Sequence, residues 1–163
     1  TVSVEWTGPN NQGDFITIVP SQFEDGKYAR YKYTRDGSPL KVPAPETEGE
    51  AEIRYMTAQD NKVLARRALK VEAADATLKA PESVVAGATV SIEWTGPNNE
   101  GDYITIVPKH FEDGKYAQYK YTRDGSPLMI ELPEEAGEAE VRYMSGQSDK
   151  VLARRPIQVE KGQ

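Results

Sequence analysis

The sequence predicts an all-β fold made of two tandem β-sandwiches, and three observations lead to this prediction. Residues 2–20 return almost unchanged as residues 90–108, and the similarity continues without a gap to the end of each copy. Alternating or β-branched segments recur at intervals of roughly 10 residues. No segment keeps the apolar period of an amphipathic helix. We therefore expect one repeat in residues 1–73 and a second in residues 74–163.

Each repeat contains six predicted strands that are separated by turn residues. Gly26 and Gly37 each follow an aspartate, a pair that favours a tight turn with a positive φ. Glu50 to Met56 alternates apolar and charged residues, which predicts a half-buried strand with Ala51, Ile53 and Tyr55 inward. In the first copy the strands are expected at residues 2–7, 14–19, 28–35, 38–42, 50–57 and 62–71.

The segment between the copies predicts an additional strand that only the second repeat has. Residues 77–80 and 83–85 read as two halves of one strand, and Pro81 interrupts them. Proline cannot donate a ladder hydrogen bond, so this strand is expected at a sheet edge. The first repeat should lack such a strand, which would leave the edge of residues 2–7 uncovered.

Net charge, cysteine content and apolar runs argue against several kinds of partner and binding site. The chain has 26 acidic and 20 basic residues, a net charge of −6, which argues against a nucleic-acid partner. It has no cysteine, so disulfides and thiolate metal sites are excluded. No apolar run approaches the roughly 20 residues that span a bilayer, so membrane insertion is not expected. The chain begins in mid-pattern, and we expect any targeting segment upstream of Thr1.

Trp6 and Trp94 occupy the same position in the two copies, in the middle of a short apolar face. A large aromatic ring at such a position is typical of a core anchor. We therefore predict that both indoles are buried. The expected neighbours are Ile18, Ile53 and Leu64 in the first copy, and Ile106, Val141 and Leu152 in the second.

A glycine-rich loop in each copy carries oxygen-bearing side chains, but it lacks the Lys-Ser/Thr of a phosphate loop. These side chains could bind calcium, with Glu24 or Asp25 from the next loop. Alternatively, they bond their own backbone in turns, which is the interpretation that we favour. The candidate residues are Asn10, Asn11 and Asp14, and their counterparts Asn98, Asn99 and Asp102.

Tyrosines alternate with basic residues along one predicted strand of each copy. Tyr31 and Tyr33 share a face, as do Tyr119 and Tyr121. An exposed tyrosine face suits sugar or peptide binding. The interpretation that we favour is that this face belongs to the core and that the hydroxyls reach its rim.

The remaining charged residues give little indication of catalysis. Arg66 and Arg67 are expected to pair with Glu50 and Glu52 across strands, although a basic binding patch is the alternative. His110 is the only histidine, and the first copy has glutamine at that position. Nucleophilic dyads and zinc sites would need a second histidine or a cysteine. We therefore predict that the chain is not an enzyme and has no cofactor.

The strand Val-x-Val-x-Trp, about seven short strands and the absence of a cysteine pair resemble a fibronectin type III or cysteine-less immunoglobulin-like sandwich. Trp-Thr-Gly-Pro-Asn-Asn, Tyr-Thr-Arg-Asp-Gly-Ser-Pro-Leu and Val-Leu-Ala-Arg-Arg look more narrowly like a bacterial module in von Willebrand factor A-type envelope proteins. One departure is that Ala51 and Ala139 stand where related sandwiches carry the tyrosine corner.

The resemblance implies a non-catalytic spacer or adhesion-like module, without catalytic residues to carry over. It also implies a periplasmic, cell-surface or secreted location. The expected partners are other domains of the parent protein, a separate protein or a glycan. A carbohydrate- or calcium-dependent binding module is the alternative function.

Overall fold

The computed structural model describes residues 1–163, which form strands, loops and two short 3-10 turns. The chain divides into two compact units, Thr1–Ala73 and Ala74–Gln163. Each unit contains two sheets that pack face to face, so the predicted all-β sandwich fold is confirmed. No helix is long and apolar enough to cross a bilayer.

The first unit has six strands in two sheets. One sheet has the order β3-β2-β5-β6, and the other contains only β1 and β4. A 3-10 turn, Thr34–Asp36, connects β3 to the second sheet. The strands are β1 (Val2–Val4), β2 (Phe15–Pro20), β3 (Tyr31–Tyr33), β4 (Leu40–Val42), β5 (Gly49–Met56) and β6 (Val63–Val71).

The second unit has eight strands, because two more precede the repeated part. Its sheets have the orders β11-β10-β13-β14-β8 and β12-β9-β7. The strands are β7 (Thr77–Lys79), β8 (Ser83–Val85), β9 (Thr89–Thr95), β10 (Tyr103–Pro108), β11 (Tyr119–Tyr121), β12 (Leu128–Glu131), β13 (Gly137–Met144) and β14 (Val151–Glu160). The 3-10 turn of this unit is Thr122–Asp124.

Strand register is the same in both units, as the gapless repeat predicts. Val4 lies opposite Leu40, and Ile92 lies opposite Leu128. The β5–β6 and β13–β14 hairpins are also in register, and each has an irregularity before its last methionine. Register is retained because a slip of one residue would turn every core side chain outward.

The two cores differ in extent. In the first unit the buried cluster is Val4, Ile16, Ile18, Leu40, Val42, Ala51 and Tyr55. The second unit buries the counterparts of all seven and adds Leu78, Val90, Leu132, Val141, Ile157 and Val159. The larger core therefore includes Leu78, from the segment between the two copies. It also includes positions whose counterparts are only half-buried in the first unit.

The predicted split strand is confirmed as β7 and β8. Between them the chain passes from one sheet to the other at Pro81. Leu78 in β7 lies opposite Trp94, and Val84 in β8 lies opposite Val159 in a parallel pairing. The first unit has no counterpart of either strand, so β1 remains an edge strand, as predicted, and β6 is an edge strand as well.

The prediction that both tryptophans are buried is wrong, because both indoles are only half-buried at the core rim. Each Nε1 atom donates a 2.7 Å hydrogen bond, from Trp6 to the Gly37 carbonyl and from Trp94 to the Gly125 carbonyl. An indole at the rim keeps its N–H satisfied while its ring packs on the core. The expected neighbour Leu64 is also on the surface, with 45% exposure.

Two predicted strands are shorter in the first unit than expected. β1 ends at Val4, whereas β9 continues to Thr95 because β7 pairs with its last three residues, and the first unit has no counterpart of β7. The strand expected at residues 28–35 is ordered as a strand only at Tyr31–Tyr33. It then turns where the Thr34 N–H donates to the Asp14 carbonyl at 2.9 Å.

Candidate interaction surface

A row of aromatic rings lies on the surface of the first unit, beside β3. Tyr28 and Tyr31 are 48% and 38% exposed, and both rest on the buried ring of Phe15 with centroids 5.1 and 4.9 Å away. Tyr33 follows 5.3 Å from Tyr31, and the Arg35 guanidinium lies 4.6 Å above its ring. We call Tyr28, Tyr31, Tyr33 and Arg35, with their counterparts in the second unit, the tyrosine ladders.

The second unit repeats this arrangement on a tyrosine base. Tyr103 replaces Phe15 and carries Tyr116 and Tyr119 at 5.5 and 5.3 Å. Tyr121 lies 5.4 Å from Tyr119, and Arg123 caps it at 4.6 Å. Neighbouring rings contact each other in edge-to-face or tilted arrangements, which aromatic pairs prefer.

The interpretation that Tyr31, Tyr33, Tyr119 and Tyr121 belong to the core is therefore wrong. Tyr31 and Tyr119 are exposed, and Tyr33 and Tyr121 are half-buried. The cause is that β3 and β11 are edge strands, so these side chains have no facing sheet to cover them. Hydrogen bonding to the Tyr33 hydroxyl raises the pKa of Tyr31, and Tyr121 raises the pKa of Tyr119 in the same way.

The glycine-rich loop turns its carboxylate inward. Asp14 is 1% exposed, and its Oδ2 accepts bonds from the Asn11 N–H at 3.0 Å and the Tyr55 hydroxyl at 2.9 Å. Its Oδ1 faces the Ala58 N–H at 3.3 Å. Asn10 has a φ of 52°, a conformation that asparagine tolerates, and its N–H donates to the Tyr55 hydroxyl at 2.9 Å.

The second loop uses the same bonds. Asp102 accepts from the Asn99 N–H, the Tyr143 hydroxyl and the Gly146 N–H, each at 2.9 Å. Asn98 Oδ1 accepts from Thr122 Oγ1 at 2.7 Å. Burial raises the pKa of Tyr143, and the adjacent carboxylate adds to this. The loop residues therefore hold their own turn, which is the interpretation that the sequence favours.

Gly8 is required beside this network. A Cβ atom at Gly8 would lie 2.7 Å from the Tyr55 ring, and one at Gly96 would lie 2.6 Å from the Tyr143 ring. Real Cβ contacts are not this short. The glycine in Trp-Thr-Gly thus allows the tyrosine ring to pass, and it does not cradle a phosphate.

Arg54 does not lie on the open face that alternation predicts, because it is buried to 1% exposure. Its guanidinium donates to the carbonyls of Phe23, Glu24 and Lys27 at 2.5, 2.9 and 3.1 Å. Its Nε also pairs with Glu52 at 3.1 Å. The loop between β2 and β3 closes over this side chain, and Arg142 has the same role in the second unit.

Of the expected cross-strand ion pairs, the one between Arg66 and Glu52 forms, whereas Arg67 lies opposite Ile53 and Glu50 lies opposite Lys70. The Arg66 side chain lies 3.3 Å from Glu52 and 2.7 Å from Asp25, and Arg154 repeats both contacts with Glu140 and Asp113. These carboxylates bind the exposed guanidiniums, which does not favour a basic patch. Asp25, an alternative calcium ligand in the sequence, is engaged here. His110 lies on the surface against Phe111.

Sequence reasoning missed two members of each tyrosine ladder and the ring that supports it. Tyr28 and Tyr116 precede the strand, and Arg35 and Arg123 follow it in the 3-10 turn. Phe15 and Tyr103, which support the rings, lie on the neighbouring strand. The sequence feature that could have indicated them is the aromatic residue at the start of both β2 and β10.

Comparison with known proteins gives no relative from which to transfer a site. No protein-family model matches the chain, and no curated protein matches it.

Proposed function

We propose that the chain is a non-catalytic structural and interaction segment, a tandem immunoglobulin- or fibronectin III-like repeat of a larger bacterial envelope protein. Its tyrosine ladders would be the contact surface for a protein partner. The envelope assignment rests on the motif resemblance, and it implies a periplasmic, cell-surface or secreted location. The single observation that carries the interaction role is the exposure of the same ladder in both units.

Two features of the ladders support a contact role. Tyrosine offers a large, rigid and amphipathic surface at a low cost in side-chain entropy. The rings are already held by Phe15 or Tyr103 beneath them and by the stacked arginine at one end. A partner would therefore meet a pre-formed surface, which lowers the entropic cost of binding.

The use of the other repeated polar residues supports a non-catalytic role. Asp14, Tyr55 and Arg54 each satisfy hydrogen bonds within their own unit. Acid–base catalysis needs carboxylates held at a fixed separation in a cleft. These repeated groups instead fix loops.

A glycan is the second candidate ligand, because exposed aromatic rings also accept sugars. Calcium dependence is not part of the proposal, since Asp14 and Asp102 direct both carboxylate oxygens to donors of the chain itself.

Binding can be tested on arrays of proline-rich peptides and of β-1,4-linked oligosaccharides. The variants are Y28S/Y31S in the first unit, Y116S/Y119S in the second, and all four changes together. We expect bound probes to be lost stepwise, with little change in melting temperature because the removed rings are exposed. R66A is the matched surface control and should bind as the wild type does. Equal binding by the quadruple variant would contradict the ladder as the contact surface.

A further inference from the structure

The second unit shows how a two-part strand completes this sandwich. Gln158 donates to the Glu82 carbonyl and Ala86 donates to the Glu160 carbonyl, both at 2.8 Å, so β8 is bonded to the edge of β14. Arg155 adds a bond to the Ala80 carbonyl at 3.2 Å. On the other sheet, β7 pairs with β9. Residues 74–88 therefore cover one edge of each sheet, and we call them the cover segment.

The first unit presents the same two edges without a cover segment. Its β1 pairs only with β4, and its β6 pairs only with β5. The acceptor sequences are closely alike: residues 1–6 differ from residues 89–94 only by Val4 in place of Ile92. The edges thus offer a strand the same backbone groups and nearly the same side chains.

The apolar side chains beneath the missing segment are correspondingly exposed. Three residues are half-buried in the first unit, whereas their counterparts have at most 3% exposure. The half-buried residues are Ile53, Leu69 and Val71, and the buried counterparts are Val141, Ile157 and Val159. Leu64 is exposed, while Leu152 packs against the core.

We infer that the open edges of the first unit form an acceptor site for one occupant, a cover segment of the same repeat type. Main-chain bonds along β1 and β6 would supply affinity, as in other cases of strand addition. Selectivity would come from an apolar residue at the Leu78 position, another at the Val84 position, and Pro81 between them. This pattern is needed because the segment must leave one sheet and join the other. The inference does not depend on a ligand for the tyrosine ladders.

The direct test adds a synthetic peptide of residues 74–88 to the full chain and follows amide hydrogen exchange. We expect slower exchange at residues 1–6 and 69–72, saturating with peptide concentration. The corresponding edges at residues 89–94 and 157–160 are already covered, so they serve as an internal control and should not change. A peptide carrying L78D and V84D has the same length and should give no protection.

Absence of protection in the first unit at saturating peptide would overturn the inference, as would equal protection by the control peptide. A second arm fuses another copy of residues 74–88 ahead of Thr1. The fused chain should exchange more slowly at residues 69–72 and should no longer respond to added peptide. A fused chain that responds to the peptide as the original does would also overturn it.

Discussion

Arg54 and Tyr55 are neighbours on one strand, yet each fixes a different loop on an opposite face. Arg54 holds three carbonyls of the loop between β2 and β3. Tyr55 bonds Asn10 and Asp14 of the glycine-rich loop. The repeated Glu-x-Arg-Tyr motif is therefore a pair of loop anchors, which explains why both copies carry it.

Replacement of Arg54 by methionine should strongly destabilise the first unit. The change leaves the three loop carbonyls without their donor and leaves Glu52 with only the exposed Arg66 as a cation. Removing one partner of a buried pair costs about 3–5 kcal/mol. The half-exposed environment of Glu52 places the expected loss near the lower end. The matched control R66M removes two exposed ion pairs, with Glu52 and Asp25, each worth under about 1 kcal/mol. Urea unfolding measures both, and a similar small loss in both variants would refute the anchor role of Arg54.

Calcium should leave the melting temperature unchanged. Both Asp14 oxygens accept bonds from the chain, and a metal would have to displace them. A calcium site filled a hundredfold above its Kd would stabilise the fold by about 2.7 kcal/mol. Thermal unfolding with millimolar calcium or with EDTA distinguishes a loop that binds calcium from one that does not. A clear rise with calcium would revive the metal-binding alternative.

For individual residues, the sequence predicts which side chains bond the backbone in turns better than it predicts which side chains are buried. Asp14 could be assigned to a turn because Asn and Asp bond nearby backbone groups. Arg54 could not be placed, because alternation assigns it to an open face and the loop that buries it is distant in sequence. The exposure of the tyrosine ladders could not be predicted either, because the exposure of Tyr31 depends on which strand lies at the sheet edge.

Among the elements, β6 and β14 share six of nine aligned residues but differ in the strands that lie beside them. β14 lies between β13 and its parallel partner β8, whereas β6 has only β5 beside it. Val159 is 1% exposed, whereas Val71 is half-buried. Strand positions were predictable to within a few residues from alternation and turn residues. The uncovered edge of β1 was predictable because the repeat shows which segment the first copy lacks. The uncovered edge of β6 was not predicted, because the sequence did not indicate that Ser83–Val85 pairs with β14.

The same substitution at these two valines should have unequal effects. V159A removes two methyl groups from a closed core, and burying one CH₂ is worth about 0.8 kcal/mol before any cavity term. We expect a loss of about 1.5–2.5 kcal/mol in the second unit, and about half as much for V71A in the first. Chemical unfolding that resolves the two units checks this, and equal losses would contradict the difference in cover.

In the whole molecule, alkaline pH should lower the stability of the second unit more than that of the first. Burial and the Asp149 contact raise the pKa of Tyr103, which stands where the first unit has Phe15. A raised folded-state pKa favours the neutral phenol. The resulting stability is complete below the unfolded value of about 10 and falls as pH rises toward the folded value.

The variant Y103F removes this phenol, so its stability should fall less steeply above pH 10 than that of the wild type. Unfolding by urea at several pH values gives both slopes. Identical slopes would show that Tyr103 titrates alike in the folded and unfolded chain.

One framework occurs twice in the chain, and only in the second copy do two added strands, β7 and β8, cover one edge of each sheet. Amide hydrogen exchange of the unmodified chain tests this most directly, because β5 and β13 differ in sequence only at Ile53 and Val141. Exchange in a core strand follows the stability of the unit that contains it. We expect faster exchange in Gly49–Met56 than in Gly137–Met144. Equal or slower exchange in Gly49–Met56 would contradict it.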